Sequence, residues 1–313
     1  MENIQNLKKR IRSVGNINKI TKAMELVAAT KMRRSQEIAL ASRPYALTAL
    51  DLLANVSLMQ KKDLPELLKK RKVKKTLFVL VASDKGLAGA FNGSLFKKFE
   101  SFARGRASGE LGDFVAVGEK TNVYLLRKGF NVIKKFVNVG DYTTTQQVEP
   151  IADFLVEGYL AHNWDKVVVF STHFKSALKQ EALVREILPV NFDATKNTIK
   201  DITPETGKFA ETIKEQNIDF SNGNKKEKAD YLIEPSGKTV LEGLAKHLLF
   251  MQVYHLILEA NASEHSARRM AMKTASDNAS DLSQALQLQY NKSRQAGITN
   301  QIIEISAGAE ALN

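Results

Sequence analysis

The chain has 313 residues, 43% hydrophobic and 26% charged, which suffices for one large or two ordinary cores and is too apolar for wholesale disorder. It contains no cysteine, which excludes disulfides, thiolate metal sites and thiol nucleophiles. Its net charge of +12 is concentrated: residues 1–34 hold nine basic and two acidic side chains, residues 60–75 hold eight and two, and the remainder is balanced, a pattern that suits one acidic partner surface better than a diffuse field.

The N-terminus turns basic by Lys8 without the apolar run of a secretory signal, so no export segment is expected. From Ile4 to about Leu58 only Gly15 and Pro44 interrupt a helical pattern, and Ile4, Leu7, Ile11, Val14, Ile17, Ile20, Met24 and Val27 recur at three- and four-residue steps. This predicts one long amphipathic helix in the segment 1–60, bent near Pro44 and roughly 80 Å long at ~1.5 Å per residue.

The pattern then changes to short β-rich runs separated by helical stretches: 76–82, 113–117, 131–137, 166–171 and 181–188. Alternation of this kind predicts a small, mostly parallel α/β domain over 73–190. GLAGAFNG at 86–93 follows the first strand, but its glycines lack the GxGxxG spacing of a dinucleotide loop, so a tight turn with close backbone packing is the expectation. Residues 191–234 read as a polar, lysine-rich insertion and a return strand.

The last segment, 235–313, reads as a second very long helix with Ser236 as its N-cap. PSGKT at 235–239 lacks the upstream glycine of a phosphate-binding loop and is better explained as that cap. The stretch 248–258 is too short, and too interrupted by Gln252 and His255, to span a bilayer, and the chain is expected to be soluble. Ser263, Ala267, Ala271, Ala275, Ala279 and Ser283 fall every fourth residue, a line of small side chains that lets another backbone approach. The obvious neighbour is the N-terminal helix, paired antiparallel, with the α/β domain inserted between the two.

Nothing in the sequence composes an active site. None of His162, His173, His247, His255 and His265 makes a metal motif, and no GxSxG elbow is present, so no catalytic residue, cofactor or metal is expected. The basic N-terminal stretch could grip phosphates, but residues 1–44 offer no aromatic ring for base stacking. A solvated charged face, nucleic-acid binding and contact with acidic protein loops all remain open on charge alone. The C-terminal tip QIIEISAGAEALN is unusually apolar for a chain end, which calls for enclosure by another protein or folding back on its own domain.

KITKAMELVAATKMRR at 19–34 resembles the N-terminal signature of the F-type ATP synthase gamma subunit family. RMAMKTASDNASDL at 269–282 and LQYNKSRQAGITNQIIEISAGAEAL at 288–312 resemble its C-terminal signature, and SDKGLAGAFN at 83–92 its central motif, including Ser83, Asp84, Gly86 and Gly89. The resemblance implies an α/β fold class: a long antiparallel coiled coil of the N- and C-terminal helices with an inserted Rossmann-like α/β domain. It implies a non-catalytic central-stalk rotor subunit, with alpha and beta subunits, the epsilon subunit and the membrane c-ring as partners and neither nucleic acid nor a small-molecule substrate. By position, Lys22, Met24, Lys31 and Arg268 would meet acidic loops of a beta subunit, and Arg294, Gln295 and Thr299 would form a polar collar. Ile302, Ile303, Ile305 and Leu312 would sit in a hydrophobic bearing. A peripheral place on the cytoplasmic face of a bacterial inner membrane follows from the same resemblance. The regulatory cysteine pair of chloroplast members cannot be present.

Overall fold

The computed structural model of the protein describes residues 4–41, 65–104, 112–140, 143–190, 234 and 236–310. Pro44, the 191–233 insertion and Leu312 lie outside these residues. The chain forms two compact units, Met1–Ala28 with Arg268–Asn313, and Ala29–Ala267. Two helices, α1 (Ile4–Ala41) and α5 (Gly237–Glu310), contribute to both.

The larger unit is built on a five-stranded sheet in the order β3-β2-β1-β4-β5. β1 (Thr76–Val81), β2 (Asp113–Val117), β3 (Val132–Phe136) and β4 (Lys166–Phe174) are parallel, and β5 (Gln180–Leu188) returns antiparallel beside β4. Helices α2 (Phe91–Ala103), α3 (Glu119–Arg127) and α4 (Thr145–Leu160) follow β1, β2 and β3. Phe78 and Leu80 point to one face, into a core with Leu95 and Phe99 of α2 and Leu125 of α3, where Phe99 meets Phe114 and Phe170 edge-on at 5.6 and 5.4 Å. Leu77, Val79 and Val81 point to the other, against Ile151 and Leu155 of α4 and Leu248, Leu249 and Leu256 of α5. Cover on both faces is why the central strands are apolar without interruption.

One of the basic residues at 60–75 is consumed inside this unit. Arg71 is half-buried over the Tyr159 ring at 4.1 Å, donates from Nη2 to Tyr159 O at 2.9 Å, and places Nε 2.8 Å from Asp165 Oδ1. The Asp165 carboxylate also accepts from the backbone N–H groups of Lys74 and Lys75, and the Lys74 bond is the chief reason its pKa is lowered. These contacts tie the approach to β1 onto the α4–β4 connection.

α5 opens as the sequence suggests, with Ser236 Oγ accepting from Thr239 N at 3.2 Å. From Met251 to Ser266 every residue is buried, which brings polar side chains into the interior. Glu259 is fully enclosed, and its Oε2 accepts from His173 Nδ1 of β4 at 3.2 Å and from Arg185 Nη1 of β5 at 3.1 Å. Burial alone would push its carboxyl pKa up, but the His173 hydrogen bond and the Arg185 charge outweigh it, and the net shift is downward.

In the smaller unit the burial pattern of α1 departs from the apolar stripe expected. Ile17, Ile20 and Val27 are 50%, 60% and 55% exposed, whereas Leu7 and Ala28 are buried and Ile11, Val14 and Asn18 at least half-buried, with Thr21 and Glu25 buried between them. Those positions repeat every three and four residues in strict alternation, a period of about 3.5, as do Met272, Ser276, Ala279, Ser283, Leu286, Tyr290, Ser293 and Gly297 on α5. Ser276 Oγ donates to Asn18 Oδ1 at 2.6 Å, and a side chain at Gly297 would lie 3.8 Å from Ile4 Cδ1, so the pairing is antiparallel. The every-fourth-residue line of small side chains therefore crosses the seam rather than forming it, because a spacing of four overshoots a 3.6-residue turn while the alternation keeps one stripe facing its partner.

Two outcomes are expected. Ala279→Trp, on the seam, lowers the melting temperature and helical content of the full chain more than Ala275→Trp beside it, as circular dichroism would show; equal effects would contradict the 3.5-residue seam. Because the folded pKa of Glu259 is depressed, the stability it contributes is present above the ordinary carboxylate value and is lost as pH falls through the lower folded value. Thermal melts from about pH 7 to about pH 3 should thus fall more steeply for the native chain than for Glu259→Gln, which is already weaker at neutral pH.

Candidate functional site

The residues proposed from sequence fall into three groups. The first lies on the part of α1 in the smaller unit, where Lys22 and Met24 are two positions apart and hence about 200° around the helix. Lys22 is exposed and pairs with the buried Glu25 at 2.9 Å, whereas Met24 is half-buried on the side of Ile20 and Val27. They do not form one patch. Lys31 is half-buried on the part of α1 that belongs to the larger unit. Arg268 opens the α5 share of the smaller unit and is half-buried. The exposed line Ile17, Ile20 and Val27 has the spacing of a core stripe in the sequence, and only the partner helix decides which stripe is covered.

The second group lies near the C-terminus of α5 and does come together. At about 100° per residue, Arg294, Gln295, Ile298, Thr299, Ile302 and Ile305 fall within one outward arc, on the side away from the seam residues Tyr290, Ser293 and Gly297. All six are exposed, Ile305 to 73%. Ile303 is exposed as well, and no described residue from Gln301 to Gly308 is covered. The residues from Gln301 to Gly308 are therefore not covered by any other described residue.

The third group is the loop after β1. Ser83 N donates to Asn92 Oδ1 at 3.1 Å, Asn92 Nδ2 donates to Ser83 Oγ at 2.7 Å, and Ser83 Oγ donates to Lys85 O at 2.8 Å. Asp84 reaches further: Oδ1 accepts from Glu119 N, the first residue of α3, at 3.0 Å, and Oδ2 accepts from Asn138 N after β3 at 2.9 Å. A carboxylate thus sits where helix N-termini in α/β proteins attract phosphates. Gly89 has φ +55°, the left-handed conformation glycine adopts without strain, while a side chain at Gly86 would meet nothing within 4 Å. Asn92, the last residue of the same motif, is the partner that fixes Ser83, and an Asn at the start of a helix after a tight turn is the sequence signal for such a role.

The lysines and arginines of α1 in the smaller unit, Lys8, Lys9, Arg10, Arg12, Lys19 and Lys22, are exposed. No described helix is long and apolar enough to cross a membrane. Among the described residues no cluster of three or more His, Asp or Glu side chains is placed to hold a metal ion. What the described residues present instead is exposed charge on α1 and exposed isoleucines near the end of α5.

Replacing Asp84 by Ala removes the acceptor for two backbone N–H groups at once. It should cost about 1–2 kcal/mol, the range for loss of a helix N-cap, read as a lower denaturation midpoint of the full chain. An unchanged midpoint would show that solvent satisfies those groups equally well.

A family model described as ATP synthase matches residues 3–312. The chain is similar to the ATP synthase gamma chain of Moorella thermoacetica, 36% identical over 312 residues and covering 100% of both sequences. It is likewise similar to that of Geotalea uraniireducens, 36% identical over 314 residues and covering 100% of this chain and 99% of the relative. Among solved structures, the central stalk and c-ring of the Tetrahymena thermophila mitochondrial ATP synthase matches with a TM-score of 0.56 and 25% identity, over 82% of this chain and 99% of the other. The rotor of the Euglena gracilis mitochondrial ATP synthase matches with a TM-score of 0.60 over 94% and 98%, and at 17% identity that likeness concerns the fold alone.

Proposed function

The chain belongs to the ATP synthase gamma chain family, and on that premise we propose that it is the central rotor shaft of an F-type ATP synthase. It couples ion flow through a membrane ring to ATP synthesis or hydrolysis in a ring of alpha and beta subunits, and carries no catalytic residue itself. The observation that most directly supports this is the outward arc at the end of α5. A chain end that exposes Ile298, Ile302, Ile303 and Ile305 beside a polar band of Arg294, Gln295 and Thr299 needs a sleeve supplied by other proteins.

Aliphatic side chains suit a bearing because dispersion and burial have no directional requirement, so contacts exchange at little cost as the shaft turns. Directional groups do the opposite work: Arg294, Gln295 and Thr299 on the collar, and Lys22, Lys31 and Arg268 toward acidic beta-subunit loops, favour particular orientations, while Met24, on another side of α1 from Lys22, adds apolar contact to a beta subunit. A rotor changes nucleotide affinity only if its contacts differ between the beta conformations, since an equal fit to all would shift no equilibrium. The α/β unit is the end on which the c-ring and epsilon subunit act. The shaft is then peripheral to a bacterial inner membrane, on its cytoplasmic face. The nucleic-acid reading of the basic segments has no support among the relatives.

Co-expression with the cognate alpha and beta subunits should give a complex with ATPase activity that retains this chain through purification. Ile302→Asp with Ile305→Asp should lower complex yield or coupled ATP synthesis several-fold while leaving the helical content of the free chain unchanged. Failure of the native chain to copurify with alpha and beta would defeat the rotor reading.

A further inference from the structure

Within the larger unit, the segment of α5 from Tyr254 to Ser266 is held by polar bonds that fall on two opposite faces of the helix. On one face, Glu259 binds His173 and Arg185, Ser263 Oγ donates to Thr172 O at 3.4 Å, and Ser266 Oγ donates to Ala177 O at 2.7 Å while accepting from Gln180 Nε2 at 3.4 Å. These reach β4, β5 and the hairpin between them. On the other, Tyr254 OH donates to Thr143 O at 3.3 Å, Asn261 Nδ2 donates to Val139 O at 3.1 Å and to Thr143 Oγ1, and His265 Nε2 donates to Gly140 O at 3.1 Å. These reach the connection between β3 and α4.

Taking about 100° per residue and Glu259 as zero, Ser263 and Ser266 lie within about 40° of it, whereas Asn261, His265 and Tyr254 lie about 200–240° away. We infer that these two sets form a torsional lock, the point at which the α/β unit grips the shaft and through which torque enters α5. This inference rests on the rotor reading.

The physical argument concerns rolling. Apolar packing resists rotation of a buried helix through interdigitated side chains, but it sets no unique angle, because ridges can settle into neighbouring grooves at similar burial. Hydrogen bonds do set one: turning the helix by about 20° moves a side-chain tip at ~5 Å radius by nearly 2 Å, enough to break a bond of ordinary length. Grips on one face alone would let the helix pivot about that face. Grips on opposite faces form a couple, so any rotation stretches both sets together. The loop side depends on rigidity of its own, and Thr143 Oγ1 supplies it by donating to Val139 O at 2.6 Å, which ties together the two acceptors that Asn261 uses. Beyond Ala267 the same helix runs unbroken to Glu310, so a twist imposed at the lock is carried along one continuous backbone.

The test uses the assembled complex with the alpha–beta ring immobilised and a bead on the α/β unit, reading angular fluctuation within a dwell. Asn261→Leu with His265→Leu leaves only Tyr254 on the loop grip, and Glu259→Gln with Ser266→Ala weakens the sheet grip. If the two grips act as parallel restraints of comparable stiffness, weakening either raises the angular variance, up to about two-fold for full loss of one, with ATP hydrolysis by the ring retained and coupled synthesis reduced. His265→Gln, whose amide can still donate to Gly140 O, restores the native variance where His265→Leu does not. That comparison decides the matter if the double variants do not assemble. Native variance in assembled variants, or equal variance for His265→Leu and His265→Gln, overturns the lock. Failure of the unmutated chain to assemble is a different result and bears on the rotor reading.

Discussion

A helix of 74 residues is not stabilised by its own backbone; isolated helices are marginal in water, and each stretch needs a flank to bury. α5 meets this requirement in two ways along its length. In the larger unit it is buried on all sides between Met251 and Ser266 and becomes part of a core. In the smaller unit it buries only a seam against α1, leaving most of its circumference to solvent. The first arrangement makes a rigid mount, and the second leaves surface for partners. One continuous element therefore serves both as the fixed end and as the working end.

The larger unit has the architecture of an open parallel sheet flanked by helices. Open parallel sheets bind phosphates at the N-termini of helices that follow their strands. At α3 the negative charge comes from within, from Asp84, whose second oxygen also holds the loop after β3. That loop continues to Val139 and Gly140, the acceptors used by Asn261 and His265 of α5. The central sequence motif is thus connected through one loop to the residues that hold α5 in the larger unit. Fold and function part company at the level of individual side chains.

Charge shows the limits of composition. The two basic segments look alike when counted, yet they are used differently. On α1, Lys8, Lys9, Arg12 and Lys19 stand on the surface, where charge is available to a partner. Before β1, Arg71 is turned inward against Tyr159 and Asp165. A count cannot tell a cation offered to a neighbour from one already paired, because pairing depends on residues some 90 positions away in the chain.

The sequence by itself determined the element types, the helix start at Ser236, the segments that become the five strands, and the family, because these depend on local periodicity, capping chemistry and long ordered motifs. It also named Ser83, Asp84, Arg294, Gln295, Thr299, Ile302 and Ile305 as candidates, and the helix places Ile298 on the same exposed face as the last five. Only the tertiary structure decided which stripe of α1 is covered. The Ile17, Ile20 and Val27 line and the Asn18, Thr21 and Glu25 line both have helical spacing, and hydrophobicity favoured the first. The seam went to the second because its small and polar side chains repeat at about 3.5 residues and so stay facing a partner helix that repeats the same way. The antiparallel turn of β5 and the burial of Glu259 between His173 and Arg185 were likewise out of reach, since a strand's alternation carries no direction and the partners of a buried charge come from distant segments.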